Sequence, residues 1–519
     1  MEAPLPSGRA AAPEHTQPQL RQVIGAVDGA VIAMSNTAPT LSIGIGMGAI
    51  AGIVGGAIPA VVFLAFLPIL GIASAYGRLN QVERNLGTGF VWVRRALGAK
   101  IGPWLGFQSA WVNVVGTTIY LAYGSQVCGA AIMSFARQCH LNRIAGIAID
   151  PASTAQTTVL GLTVLTVLTW SAIRGADFVA RFQTPLIIFE YLVLLGFCGY
   201  ALFAGEHDFS GQWFNPGSLP SLKVLANGLV VSVYIFWGWD SAFAVTEETR
   251  SPKDAARAGF GALWIMLGMF LLAAISFERL FSVDQISGNA SSLLAYMGTT
   301  LAKEPLALLP VIAMLFSSVA SLQAGMLPTA RLTMSMSREG TLGPVWARLH
   351  RKYATPALGT LILCSISALL AVLAIGIGTL SQFISAAATA VGMLVSLYYA
   401  LAGIACAVRF RGTLREGFLP ALRAVVLPGL SALALLVVGG FFAVQEWNQS
   451  SSFAFSAVNG RFVVAIPATI ILAGIVFSAW SKWVRKSPYF QDTPTELSAA
   501  LEHGSPAPAD LPASTGSPA

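Results

Sequence analysis

Charge is what this chain has least of. Of its 519 residues only 10% are Asp, Glu, Lys or Arg, against about 25% in soluble domains. That is too few to cover a water-facing surface of this size, so a string of soluble domains is excluded. Histidine is as scarce. The five histidines, His15, His140, His207, His350 and His503, all fall outside the long apolar runs. The usual metal ligands and general bases are therefore missing from those runs, which argues against an enzyme, and a metalloenzyme in particular. The five cysteines, Cys128, Cys139, Cys198, Cys364 and Cys406, include no CxxC pair, so neither a disulfide framework nor a thiolate metal site is expected, and no cofactor is implied. The first twenty residues are rich in Pro, Ala and Gln and lack the apolar core of a signal peptide.

What is present is hydrophobic: 55% of the residues, with a mean hydropathy of +0.70. Runs long enough to cross a hydrocarbon core, which takes about 20 helical residues, lie near 22–48, 54–77, 103–133, 157–173, 183–204, 222–246, 258–277, 305–330, 356–376, 381–408, 422–444 and 461–483. The expected fold is an all-α integral membrane protein of about twelve transmembrane helices. Residues 1–21 and 485–519 form polar, Pro- and Ser-rich tails read as disordered, on either side of a polytopic domain at 22–484. If the first span starts inside, the inner loops collect 24 of the 30 lysines and arginines. This bias places both termini in the cytoplasm of a multi-pass cell-membrane protein. It also accounts for the net charge of +7 without a nucleic-acid partner.

Three features break the apolar pattern. In segment 6, VSVYIFWGWDSAFAVTEETR from Val231, Gly238 and the carboxylic acid Asp240 interrupt the run. A charge there costs about 2.5–3.5 kcal/mol even on insertion scales. Asp240 either braces a kinked helix or marks a gap that holds a ligand. In segment 1, IAMSNTAPTLSIGIG places Ser35, Asn36, Thr37, Ala38 and Thr40 around Pro39. Proline ends the hydrogen-bond ladder and frees backbone groups that must find partners in protein, water or ligand. Glu190, in segment 5, is the third. No lysine or arginine falls deep in a run to neutralise it, so it is expected to carry a proton at rest or to meet a bound cation. Two interrupted helices five spans apart are the sequence pointer to a transporter built on an inverted repeat.

At these residues the chain resembles the amino acid, polyamine and organocation transporters. FWGWDSAFAVTEETRSPKDAARAG from Phe236 is similar to that family's sixth segment. NLGTGFVWVRRALGAKIG from Asn85 resembles its loop after segment 2, and RLTMSMSREGTLGPVWARLHRKYATP from Arg331 its loop after segment 8. The likeness runs from about residue 22 to about 410. It implies a five-plus-five inverted repeat with broken helices 1 and 6, followed by two further helices. It also implies a permease that moves an amino acid or related amine across the bilayer by alternating access. Carried over, backbone amides from Asn36 to Thr40 would meet a carboxylate, since a half-helix N-terminus presents unpaired N–H groups. Carbonyls around Phe236, Trp237, Gly238 and Trp239, with Asp240, would meet an ammonium, and the aromatics would close over it.

Some members of that family couple to protons through a lysine in segment 5, so Glu190 departs from the pattern and is itself the candidate coupling carboxylate. Sodium is the rival ion: Ser317, Ser318 and Ser321 of segment 8 offer the oxygens a hard cation prefers. A facilitator for small organic cations is the third reading, although no ring of pore-lining groups is evident. In segment 3, Gln108, Trp111 and Asn113 are further candidates for the pocket wall.

Overall fold

The computed structural model describes residues 20–491 except 145, 291, 377–378 and 450–460. Among these, eleven helices are long and apolar enough to cross a membrane: Ala26–Val54, Ile58–Val82, Gly98–Gln138, Thr154–Ile173, Ala176–Ala204, Pro252–Leu280, Leu306–Arg338, Ala357–Gly376, Gln382–Arg409, Phe418–Asn448 and Arg461–Trp483. The remaining segment, the sixth, is divided by a gap. Its helix Leu222–Ile235 stops at the gap, and the chain resumes as the short turn of helix Ser241–Ala244. The twelve expected segments are all present as helix. Helices dominate because a membrane interior offers no water to satisfy backbone N–H and C=O groups. The other regular structure is a two-residue hairpin pairing Arg143–Ile144 with Ile147–Ala148, in the loop after segment 3.

Segment 1 packs against segments 5, 7 and 8, and the 41-residue segment 3 lies against segments 4, 8 and 10. Segments 3 and 4 meet backbone to backbone. A Cβ added at Gly129 would sit 2.2 Å from the Thr157 carbonyl oxygen, and one at Gly161 would sit 2.1 Å from that of Ser125. Small residues permit such approach where dispersion and polar contacts, and not hydrophobic expulsion from water, hold helices together. Segment 11 leans on segments 2 and 10, and segment 12 on segments 3 and 10. The indole of Trp111 and the amide of Gln108 donate to the carbonyls of Ile470 and Ile471, at 2.8 and 3.1 Å. These two polar groups thus tie segment 3 to segment 12 and do not face the cavity described below.

Three boundaries differ from the sequence reading. Segment 8 does not end before Arg331. It runs on to Arg338, with Arg331 1% exposed and its guanidinium paired with Glu248 through two hydrogen bonds, at 2.7 and 3.3 Å. A cation taken as the start of a loop is instead kept inside the helix by a carboxylate from the end of segment 6. Glu247 and Glu248 accordingly pair with Arg338 and Arg331, while the backbone N–H of Arg250 donates to Ile24 O beside a short bridge. The packed body also extends past residue 21 at one end and past 484 at the other. Leu20 is buried with Leu86 and Met334. Pro488, Tyr489 and Phe490 turn back after segment 12, and Tyr489 and Phe490 fill a socket among Phe90, Phe107 and Met336. The tyrosine hydroxyl donates to the Phe90 carbonyl at 3.1 Å, its ring stacks on Phe90, and the Arg94 guanidinium lies 4.4 Å from the ring centre. Residues 1–19 and 492–519 lie outside the described residues.

The basic loops converge on the end of segment 6. From the loop after segment 2, Arg84 donates to the carbonyls of Thr246 and Thr249, and the Leu86 N–H donates to Glu247. A short helix in the same loop, Gly89–Ala96, then carries Arg94 to Glu339 at 2.5 Å.

Candidate functional site

The first break comes from two adjacent residues. Ala38 adopts a left-handed conformation, φ 50° and ψ 65°, and Pro39 opens the second half of the segment. A non-glycine residue pays about 1–2 kcal/mol for that geometry, so the break is held by its surroundings. Thr37 donates its hydroxyl to Ala33 O at 3.0 Å, and Ser42 donates to Thr37 O at 2.8 Å. The second break rests on Gly238, at φ 119°. A Cβ there would lie 2.7 Å from the carbonyl carbon of Asn36, so the two gaps touch through backbone. The Asn36 side chain crosses between them and donates to Gly238 O at 3.3 Å. Gly238→Ala is therefore expected to lower stability by about 1–3 kcal/mol, seen as a fall in the unfolding midpoint of the detergent-purified protein. Gly261→Ala, on a helix with open space around the added methyl, is the matched control and should not fall.

Asp240 stands at the end of the second gap. Tyr399 donates to its Oδ1 at 3.0 Å and Tyr398 to its Oδ2 at 3.2 Å. Tyr398 in turn accepts from the Trp237 indole at 2.7 Å. This chain of donors fixes the carboxylate and leaves part of its acceptor capacity free, since an ionised carboxylate accepts about four hydrogen bonds. It faces a narrow cavity. From segments 1 and 6 the walls are Asn36, Trp237, Asp240, Ser241 and Ala244; from segment 3, Asn113, Thr117 and Tyr120; from segment 8, Gly325, Pro328 and Leu332. Leu86 and Thr88, in the basic loop after segment 2, close the remaining side. Asp240 is the one charged side chain among these residues. The cavity holds about 20 Å³ of free space, room for about one water molecule, so a larger ligand enters only when its walls separate.

The sequence candidates divide sharply on this geometry. Asn36, Trp237 and Asp240 line the cavity, and Gly238 shapes it. Trp239 and Phe236 do not face it. Trp239 is buried against Tyr76, Phe243 and Tyr399, and Phe236 against Phe66 and Phe270. Ser35 and Thr37 are buried within the helix before the break. Thr40 turns to the opposite face and donates its hydroxyl to Glu190 Oε2 at 2.9 Å. Glu190 is fully buried and thus touches the first gap from behind. Of the three serines, Ser317 lies at the break, accepting from the Leu41 N–H at 3.4 Å. Ser318 and Ser321 spend their hydroxyls on carbonyls of their own helix, Leu315 and Ser318.

Tyr398, Tyr399, Thr117 and Tyr120 were not anticipated. The signal for the tyrosines is a pair of phenols in the apolar run of segment 10, SLYYALAG, where each hydroxyl needs a partner. Among the described residues no cluster of His, Cys, Asp or Glu is arranged to hold a metal ion.

Comparison with known proteins bears on the same region. A model of the amino acid permease family matches residues 23–459, which takes in both breaks and the cavity. The low-affinity putrescine importer PlaP of Escherichia coli is 24% identical over 339 residues, 62% of this chain and 68% of that one. The vacuolar cationic amino acid transporter 8 of Arabidopsis thaliana is 27% identical over 186 residues, 34% of this chain and 31% of that one. The human large neutral amino acids transporter small subunit 2 is 22% identical over 346 residues, 64% and 60% of the two chains. With two broken helices meeting beside an acid that lines a cavity, and with a family match that spans most of its length, the chain belongs to the amino acid permease family.

Proposed function

We propose that the protein is a secondary transporter that carries an amino acid or a related amine by alternating access, with its basic side toward the cytoplasm of a cell membrane. The family and the relatives support a carrier of amino acids or amines. The observation that carries the finer reading is Asp240, the one charged side chain among the described residues that line a cavity shared by the two interrupted helices. An acid so placed is costly in a bilayer unless it meets a cation, and the substrate ammonium supplies one. The walls come from segments 1, 3, 6 and 8, as a carrier with a five-plus-five inverted repeat would build them around a central site. Displacement of segments 1 and 6 past segments 3 and 8 would open the cavity to one face at a time.

Glu190 is the coupling group in this reading. Its bond to Thr40 ties its protonation to the first break, so gain or loss of a proton changes the structure that shapes the cavity. In proteoliposomes, Glu190→Gln is expected to lose accumulation driven by a pH gradient while retaining exchange of labelled for unlabelled substrate. Full gradient-driven accumulation by the variant would refute the coupling role. Ser317 beside the same break supports the sodium reading, and uptake that collapses when sodium is replaced at fixed pH would select it. A facilitator would equilibrate its substrate and never concentrate it.

A further inference from the structure

The cavity also restricts what the substrate carries besides its ammonium. A carboxylate needs donors, and a broken membrane helix supplies them only where its N–H groups are left over. Most backbone N–H groups around the first break are already engaged. Those of Asn36 and Thr37 belong to the helix Ala26–Thr37. Ala38 donates to Ser35 O at 3.1 Å, Pro39 has no N–H, and Ser42 donates to Ala38 O at 2.8 Å. The two orphan donors at the head of the second half are those of Thr40 and Leu41. The second donates to Ser317 Oγ at 3.4 Å, and beside the first the Thr40 hydroxyl donates to Glu190 Oε2 at 2.9 Å. The positive end of this half-helix thus meets an acid of the protein itself.

A cationic partner for an anion is missing as well. No Lys, Arg or His is among the described residues that line the cavity. The Asn36 amide donates one N–H to Gly238 O, and the Thr117 hydroxyl donates to Asn113 Oδ1 at 3.4 Å. A carboxylate carried in beside the ammonium would lie near Asp240 without a cationic partner.

We infer that the site takes an amine that has no carboxylate, such as an alkyl or aryl monoamine or a diamine, in preference to the corresponding amino acid. The inference rests on the reading of Asp240 as the ammonium site. The test is equilibrium binding and ligand-induced thermal stabilisation of the purified full chain with matched pairs: ornithine, lysine, leucine and phenylalanine, each against its decarboxylated amine. A bound ligand raises the unfolding midpoint in proportion to the logarithm of its concentration over Kd. In whichever pair binds, the amine should bind at least about tenfold more tightly, the scale expected when a buried charge lacks its partner. An amino acid that matches or beats its amine overturns the inference and leaves the transporter reading intact. Silence from all eight compounds at millimolar concentration overturns the ammonium site, and the inference with it. An amine that binds Asp240→Asn as well as it binds the native protein sits elsewhere, and that result also overturns the inference.

Discussion

Asp240→Asn is expected to fold and to lose its substrate. The amide keeps the size of the carboxylate and can still accept a hydrogen bond from one of the two tyrosines, while the other hydroxyl turns to accept from the new NH2 group. Stability should therefore change little. What disappears is the charge. Truncating one partner of a buried, hydrogen-bonded charge pair costs about 2–5 kcal/mol, which corresponds to a loss of roughly 30-fold to several thousand-fold in affinity. Binding of a labelled substrate to the purified variant, and its uptake into proteoliposomes, measure this directly. Asp240→Glu keeps the charge but pushes it one methylene further into a cavity with about 20 Å³ of free space, so it should bind weakly and carry slowly. An Asn variant with native affinity would remove Asp240 from the site.

Arg331→Ala has the largest expected effect on stability. The guanidinium forks onto both oxygens of Glu248 and also donates to Leu327 O at 3.3 Å. Removing it leaves a carboxylate buried without a partner, a change that costs about 3–5 kcal/mol. Lysine keeps the charge but not the fork, so Arg331→Lys should lose part of that amount. Replacing both partners, as Arg331→Met with Glu248→Leu, should recover much of it, because the desolvation cost of the two ions goes with them. Thermal unfolding of the native protein and these three variants measures the changes, and an Arg331→Ala variant of native stability would refute the assignment. The neighbouring pair of Arg338 and Glu247, at 2.8 Å, is more exposed and should matter less. Both pairs join segment 8 to segment 6, whose residues face each other across the cavity. A movement that opens the cavity between these two segments has to break or carry these pairs.

The spans were legible because each is a run of apolar residues ended by charge or a turn, and both breaks were legible because proline and glycine act locally. Contacts distant in sequence were not. Tyr399 reaches Asp240 across 159 positions, and nothing in the spacing of either segment announces the other. Tyr120 and Thr117 were missed for a different reason. Segment 3 is buried along most of its length against other helices, so no polar face stands out from an apolar one. Arg331 was misplaced because a cation after an apolar run reads as the end of a helix. Only its partner, 83 residues earlier, makes it an interior residue. Glu190 was visible as an anomaly, but its link to Thr40 exists only once segments 1 and 5 are packed.

The seat of Tyr489 and Phe490 has a practical consequence. Segment 12 ends at Trp483, which looks like a natural place to attach a reporter for deciding which side of the membrane the chain's end occupies. A fusion there would discard the two rings that fill the space between the Gly89–Ala96 helix and segments 3 and 8, along with the cap on the Phe90 carbonyl. The reporter would then score a damaged body. Attached after Gln491, the same reporter leaves that joint assembled, and its signal reads the orientation of the native protein.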